Sequence, residues 1–135
     1  MDKNELKKRL KVLAINTAKL CLKLPINQAN KVYTGQVIRS SSSSAANYRA
    51  ACRGKSKPDF VNKLRIVEEE LNESMFFYEM LAEFNEPFKK ELRELYKEAN
   101  ELLSIIVASI NTTNKNIDIE KANKIRNRKS EIIYA

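Results

Sequence analysis

Leu6, Leu10, Leu13, Thr17, Leu20 and Leu24 recur every three or four residues, while Lys3, Lys7, Lys8, Arg9, Lys11, Lys19 and Lys23 take other positions. That pattern is one narrow apolar stripe on an otherwise basic helix, predicted over 3–24. Asp2 and Glu5 sit at its start, where the helix dipole favours negative charge. Leu24-Pro25 ends it, because the residue before proline is pushed out of the α region.

After a linker over 26–31, a second helix is expected over 30–53, with Tyr33, Val37, Ser40, Ser44, Asn47 or Tyr48, and Ala51 on one face. The run Ser40-Ser41-Ser42-Ser43-Ser44-Ala45-Ala46 resembles a flexible linker in composition. It lacks Gly and Pro, however, and lies between Val37-Ile38 and Tyr48. Small side chains on successive turns suit close helix packing, and serine hydroxyls can bond back to the carbonyl four residues earlier. Gly54 is the natural residue for closing this helix.

Ser56-Lys57-Pro58-Asp59 reads as a helix start, with Ser56 as N-cap and Pro58 in the first turn. The third helix then runs to Phe84 with two stripes. One is Phe60, Leu64, Val67, Leu71, Ser74, Tyr78 and Leu81, a core face. The other, Ile66, Glu70, Glu73, Phe77, Met80 and Phe84, mixes aromatics with carboxylates and suits a partner subunit.

Asn85-Glu86-Pro87 breaks the chain, and a fourth helix is expected over 88–111, striped by Phe88, Leu92, Leu95, Ala99, Leu102, Ile106, Ser109 and Ile110. Its end, from Leu102 to Ala108, is apolar nearly all round, which predicts burial on more than one side. Residues 113–135 then form a basic C-terminal tail, expected to be disordered or a short frayed helix, with Ile117, Ile119, Ile125, Ile132 and Ile133 scattered through it. The fold class is all-α: an up-down-up-down antiparallel four-helix bundle over 1–112, followed by that tail.

Composition narrows the chemistry. The chain has 135 residues, one domain's worth, and only 2 Gly and 3 Pro, too few turn residues for a sandwich or barrel. It has no His, which removes Ser-His-Asp and Cys-His nucleophile pairs and the usual zinc sites. Cys21 and Cys52 are too few for a disulfide framework and fit a reducing cytoplasm as small core residues. No apolar run reaches the roughly 18 residues that span a bilayer, and no signal-peptide core is expected at the N-terminus. Gly35 and Gly54 are too far apart for a phosphate loop. The carboxylates Glu68, Glu69, Glu70 and Glu73 lack the Glu-x-x-His pairs of di-iron bundles, so ion pairing is their expected role. A non-enzymatic protein without cofactor or metal is expected.

Charge changes the picture further. The formal net charge is +8, but residues 1–57 carry 13 Lys/Arg against 2 Asp/Glu, residues 58–110 carry 6 against 12, and residues 111–135 carry 6 against 3. Either the oppositely charged helices pack beside each other or meet across subunits, or the basic half meets phosphate. Arg49, Arg53, Lys55 and Lys57 are the candidate nucleic-acid-binding set, since they cluster around the end of helix two. Arg39 is divided between that set and an internal pair with a helix-three carboxylate.

At helix two the chain resembles the four-helix bundle proteins encoded within intervening sequences of bacterial 23S rRNA genes. Gln36, Arg39, Ser40, Ser43, Ala46, Asn47 and Ala51 match that family's pattern, Ser56, Asp59, Phe60, Lys63 and Leu64 continue it, and Glu70 and Glu73 complete it. Ala50, Glu69 and Phe77 depart from the family's usual Glu, Lys and Trp. The resemblance covers residues 5–112 and implies a four-helix bundle that assembles into a homo-oligomer, with a pentamer favoured. It also implies kinship with accessory proteins of diversity-generating retroelements, basic rings that contact a reverse transcriptase and RNA. Gln36, Arg39, Asn47, Glu70 and Glu73 form the candidate structural polar cluster. Two functions follow as expectations: binding of RNA or DNA through a basic surface, or an adaptor ring that binds a protein such as a reverse transcriptase.

Overall fold

A computed structural model describes residues 1–134, with side chains to Ile132, so the side chain of Ile133 lies outside the described residues. Four helices and one short turn of 3₁₀ helix make up the chain: α1 Lys3–Cys21, α2 Gln28–Ala51, α3 Lys57–Phe84, the 3₁₀ turn Glu86–Phe88 and α4 Lys89–Tyr134. No strand occurs among the described residues.

The helix starts follow from their caps. The side chains of Asp2, Asn27 and Ser56 accept from the backbone N–H groups of Glu5, Asn30 and Asp59 at 2.8, 2.8 and 3.3 Å, each satisfying an otherwise orphaned donor. α1 ends at Cys21, three residues short of its expected end, yet Leu24 still folds into the core. α2 begins two residues before its expected start, capped by Asn27. Gly54 is not a left-handed cap: no described residue has positive φ. Space is what calls for glycine there, since a Cβ would meet the carbonyl oxygen of Ala51 at 3.0 Å.

The four stripes converge on one core. Leu10, Val37, Leu64, Val67, Leu71, Leu81, Leu102 and Ile106 are fully buried, each large apolar side chain contributing about 1.5–3 kcal/mol by leaving water. Val61 rather than Phe60 begins the buried face of α3, and Tyr48 rather than Asn47 takes the inward place on α2. The serine run is helical, and Ser40, Ser41 and Ser44 are buried. Their hydroxyls donate to carbonyls three residues back, not four. Ser40 also meets Ser74 of α3 at 2.7 Å, and Ser74 donates to Glu70 O at 2.9 Å. Small polar side chains thus let α2 and α3 pack closely without orphaned hydroxyls. The α1–α4 seam is the thinnest of the four.

α4 corrects the expected end of the fourth helix. It does not stop at Asn111 but runs unbroken for 46 residues to Tyr134, about 69 Å at 1.5 Å per residue. Asn111, Thr112, Thr113 and Asn114 do not stop it, and neither Gly nor Pro follows them. Such residues cost a helix only about 0.7 kcal/mol each. Thr113 Oγ1 donates back to Ser109 O at 2.8 Å, and Ile110 and Ile117 keep the inward stripe going. From Asp118 to Ile132 every side chain is exposed. The apolar stretch from Leu102 to Ala108 is not covered all round within the single chain either, for Val107 and Ala108 face solvent.

Candidate nucleic-acid interface

The α2–α3 corner is where the cations gather. Arg49, Arg53, Lys55 and Lys57 are all exposed, on the last turn of α2, the connection and the first residue of α3. Among the described ion pairs none involves Arg49, Arg53 or Lys55. Lys57 differs: its ammonium pairs with Glu120 of α4. Lys57 thus links the start of α3 to the point where α4 leaves the bundle through an exposed pair. Lys3 joins the same end from α1, with its Nζ 4.7 Å from the centroid of the Phe60 ring. A shallow hollow of about 350 Å³ lies among Lys3, Lys55, Lys57, Phe60, Thr113 and Asn116.

The candidate polar cluster is only partly assembled. Arg39 reaches from α2 to α3, donating to Glu70 at 3.1 Å and to Glu73. These carboxylates raise its pKa, the Glu73 hydrogen bond most of all. Gln36 and Asn47 stay apart: Gln36 is exposed, and Asn47 donates to Ser43 O at 2.9 Å and to Ser43 Oγ at 3.0 Å. The Arg39 side chain is 49% exposed, so the trio is a surface clamp between helices rather than a buried charge network. Ala50 faces solvent.

Other contacts escaped the sequence reading. Arg9 ties α1 to α4 through Glu98 and, at 3.2 Å, Glu101; its charge is reinforced above all by the Glu98 hydrogen bond. Thr17 donates to Leu13 O at 2.7 Å and meets the Tyr78 hydroxyl at 2.7 Å in the core. Burial raises the pKa of Tyr78 and of Tyr48, and pushes the Cys21 thiol up to about 11. On the outer face of α2 and α3, Tyr33 lies 6.1 Å from Phe77 and 5.9 Å from Phe84, and Phe76 meets Phe77 edge-on at 5.2 Å. Phe76 and Phe84 are about half exposed there. No three carboxylate or thiol side chains converge as a metal site among the described residues.

The model of the 23S rRNA-intervening sequence protein family matches residues 2–108. The chain belongs to that family. A crystal structure of a protein of unknown function from the S23 ribosomal protein family of Bacteroides thetaiotaomicron is similar, with a TM-score of 0.74 and 27% identity. That similarity covers 82% of this chain and 99% of the other. No curated protein matches the chain. The family match ends before the exposed part of α4 begins, so the 23S rRNA-intervening sequence family accounts for the bundle and not for its projecting helix. Among the described residues, no helix of this family member is long and apolar enough to cross a membrane.

Proposed function

We propose that this chain is a non-enzymatic, cytoplasmic, self-associating bundle that binds RNA or DNA through phosphate. The observation that carries the reading is the α2–α3 corner, where Arg49, Arg53 and Lys55 are exposed and lack a carboxylate in ion-pair range among the described residues. Guanidinium forks held at a rigid helix end suit phosphate oxygens. Lys57 lies at the same corner but is less freely available, because it pairs with Glu120 at the surface. Recognition is then electrostatic and largely independent of sequence.

Fluorescence anisotropy against mixed RNA and DNA at two salt concentrations tests this. Three phosphate contacts give a log–log salt slope of about −3 on duplex DNA and a shallower one on single strands. Replacing Arg49, Arg53 and Lys55 by Glu abolishes binding and leaves the fold intact, since exposed changes move stability by about 0.5 kcal/mol at most. Affinity weaker than about 100 μM at low salt, the weak end of ordinary non-specific binding, rejects the reading.

A second reading rests on the half-exposed aromatic patch around Tyr33, Phe76 and Phe84. In it the assembly is an adaptor that holds a protein partner, such as a reverse transcriptase, against that face. The self-association common to both readings, with a pentamer favoured by the family resemblance, is read by light scattering.

A further inference from the structure

The Lys57–Glu120 pair is the outermost described ion pair between α4 and the bundle. Beyond it, every side chain from Lys121 to Ile132 is exposed. The stretch from Lys121 to Lys129 carries Lys121, Lys124, Arg126, Arg128 and Lys129 and no carboxylate. None of these cations takes part in a described ion pair. Like charges three and four residues apart repel on a helix, so this stretch gains from a polyanion laid against it.

The same cations continue the surface of the α2–α3 corner. Asn116 lines the hollow beside Lys55 and Lys57, and Glu120 pairs with Lys57. Lys124 and Arg128 follow Asn116 and Glu120 at four-residue steps, which puts all of them on one ridge of α4 that starts at the corner. Along the helix axis, Lys124 and Arg128 lie about 6 and 12 Å farther out than Glu120. The bundle end and the projecting helix are therefore two arms of an elbow. Arg53, Lys55 and Lys57 stand on one arm, and Lys124 and Arg128 on the other.

We infer that the projecting part of α4 lies in the major groove of duplex DNA, with the cationic corner on the flanking phosphates. This rests on the phosphate-binding reading above and adds the kind of nucleic acid. A bare helix about 10–12 Å across fits a groove about 12 Å wide. The run from Glu120 to Ile132 is about 18 Å long, enough to lie across that groove. Lys121, Lys124 and Arg128 reach the phosphates that border it, while Ile125 and Ile132 meet thymine methyls on its floor. A-form RNA offers no such site, because its major groove is too deep and narrow for side chains to read. Single strands bind well where aromatic rings stack on their bases, and no aromatic residue occurs between Asp118 and Ile132. A lipid surface needs apolar and charged faces kept apart, whereas Ile125 and Ile132 share a face with Lys121 and Arg128.

Fluorescence anisotropy of the full-length chain with DNA and RNA duplexes of matched sequence tests this. DNA is expected to bind about tenfold or more tightly. Lys121→Gln/Lys124→Gln/Arg128→Gln should lower DNA affinity about tenfold or more and flatten the log–log salt slope by about 3, with RNA affinity changed less than about twofold. Dimethyl sulfate footprinting should show guanine N7, a major-groove atom, protected by the parent chain and not by the triple variant. Equal binding of the two duplexes, DNA binding untouched by the triple variant, or protection of adenine N3 in the minor groove in place of guanine N7 each overturns the inference. In those cases the phosphate reading still stands if Arg49→Glu/Arg53→Glu/Lys55→Glu abolishes binding. Binding of neither duplex overturns both.

Discussion

The side-chain amides of Asn30 and Asn85 face each other, each donating to the other's carbonyl oxygen, at 2.8 and 2.7 Å. Both residues are buried. Their second N–H groups reach Pro25 O and Leu81 O at 2.8 Å, so the pair joins the α1–α2 connection to the end of α3. Asn85→Ala leaves the Asn30 amide short of a donor and an acceptor inside the protein. A loss of about 1–3 kcal/mol is expected, read as a shift of the urea midpoint at unchanged slope.

Arg39→Ala should cost far less than a buried ion pair would. A buried guanidinium stripped from its carboxylates loses about 3–5 kcal/mol, but half of this side chain is in solvent. The expected loss is no more than about 1 kcal/mol, and it should shrink at high salt. Thermal melts at low and high ionic strength check both statements.

Stability should fall in alkali. Burial holds the proton on Tyr78 and Tyr48 above its ordinary range, and the Cys21 thiol moves from 9.0 to about 11. Folded and unfolded chains both keep these protons below pH 9, so nothing is lost there. Above that the unfolded chain releases them first, and stability declines, for Cys21 until about pH 11. Each such group contributes up to about 1.4 kcal/mol per pH unit. Denaturant titrations from pH 8 to 11 should show the decline, and Cys21→Ser should soften its onset.

Removing the chain from Asp118 onward should leave the bundle's melting temperature nearly unchanged, since no side chain lost in the described part is buried. The helical signal per chain should drop in proportion to the residues lost, measured by far-ultraviolet circular dichroism. A large fall in melting temperature at low protein concentration would mean that the segment packs on its own bundle.

Where local chemistry is strong, the sequence predicts the fold closely. Ser56, Pro58 and Asp59 mark the start of α3 because a cap, a ring-fixed φ and a favourable charge coincide there. The spacing of Arg39, Glu70 and Glu73 foretells their meeting, but exposure depends on how far apart two helices settle, which no single helix encodes. The end of α4 was not legible: the Asn/Thr run resembles a stop, and the Ile110–Ile117 continuation outweighs it only once α3 lies alongside. The Lys57–Glu120 pair was hidden for the same reason, because Glu120 belonged to a segment read as tail. Asn30 and Asn85 each read as ordinary helix-end residues, and their pairing depends on two distant ends meeting.

An unbroken α4 also behaves as a lever. Its last turns lie about 25 Å from where Ile117 leaves the bundle. A tilt of about 10° at that fulcrum swings the tip by about 4 Å, about three quarters of a turn of helix. Small repacking around Ile110, Thr113 and the Lys57–Glu120 pair is therefore magnified outward, so an event at the α2–α3 corner becomes a displacement far from it.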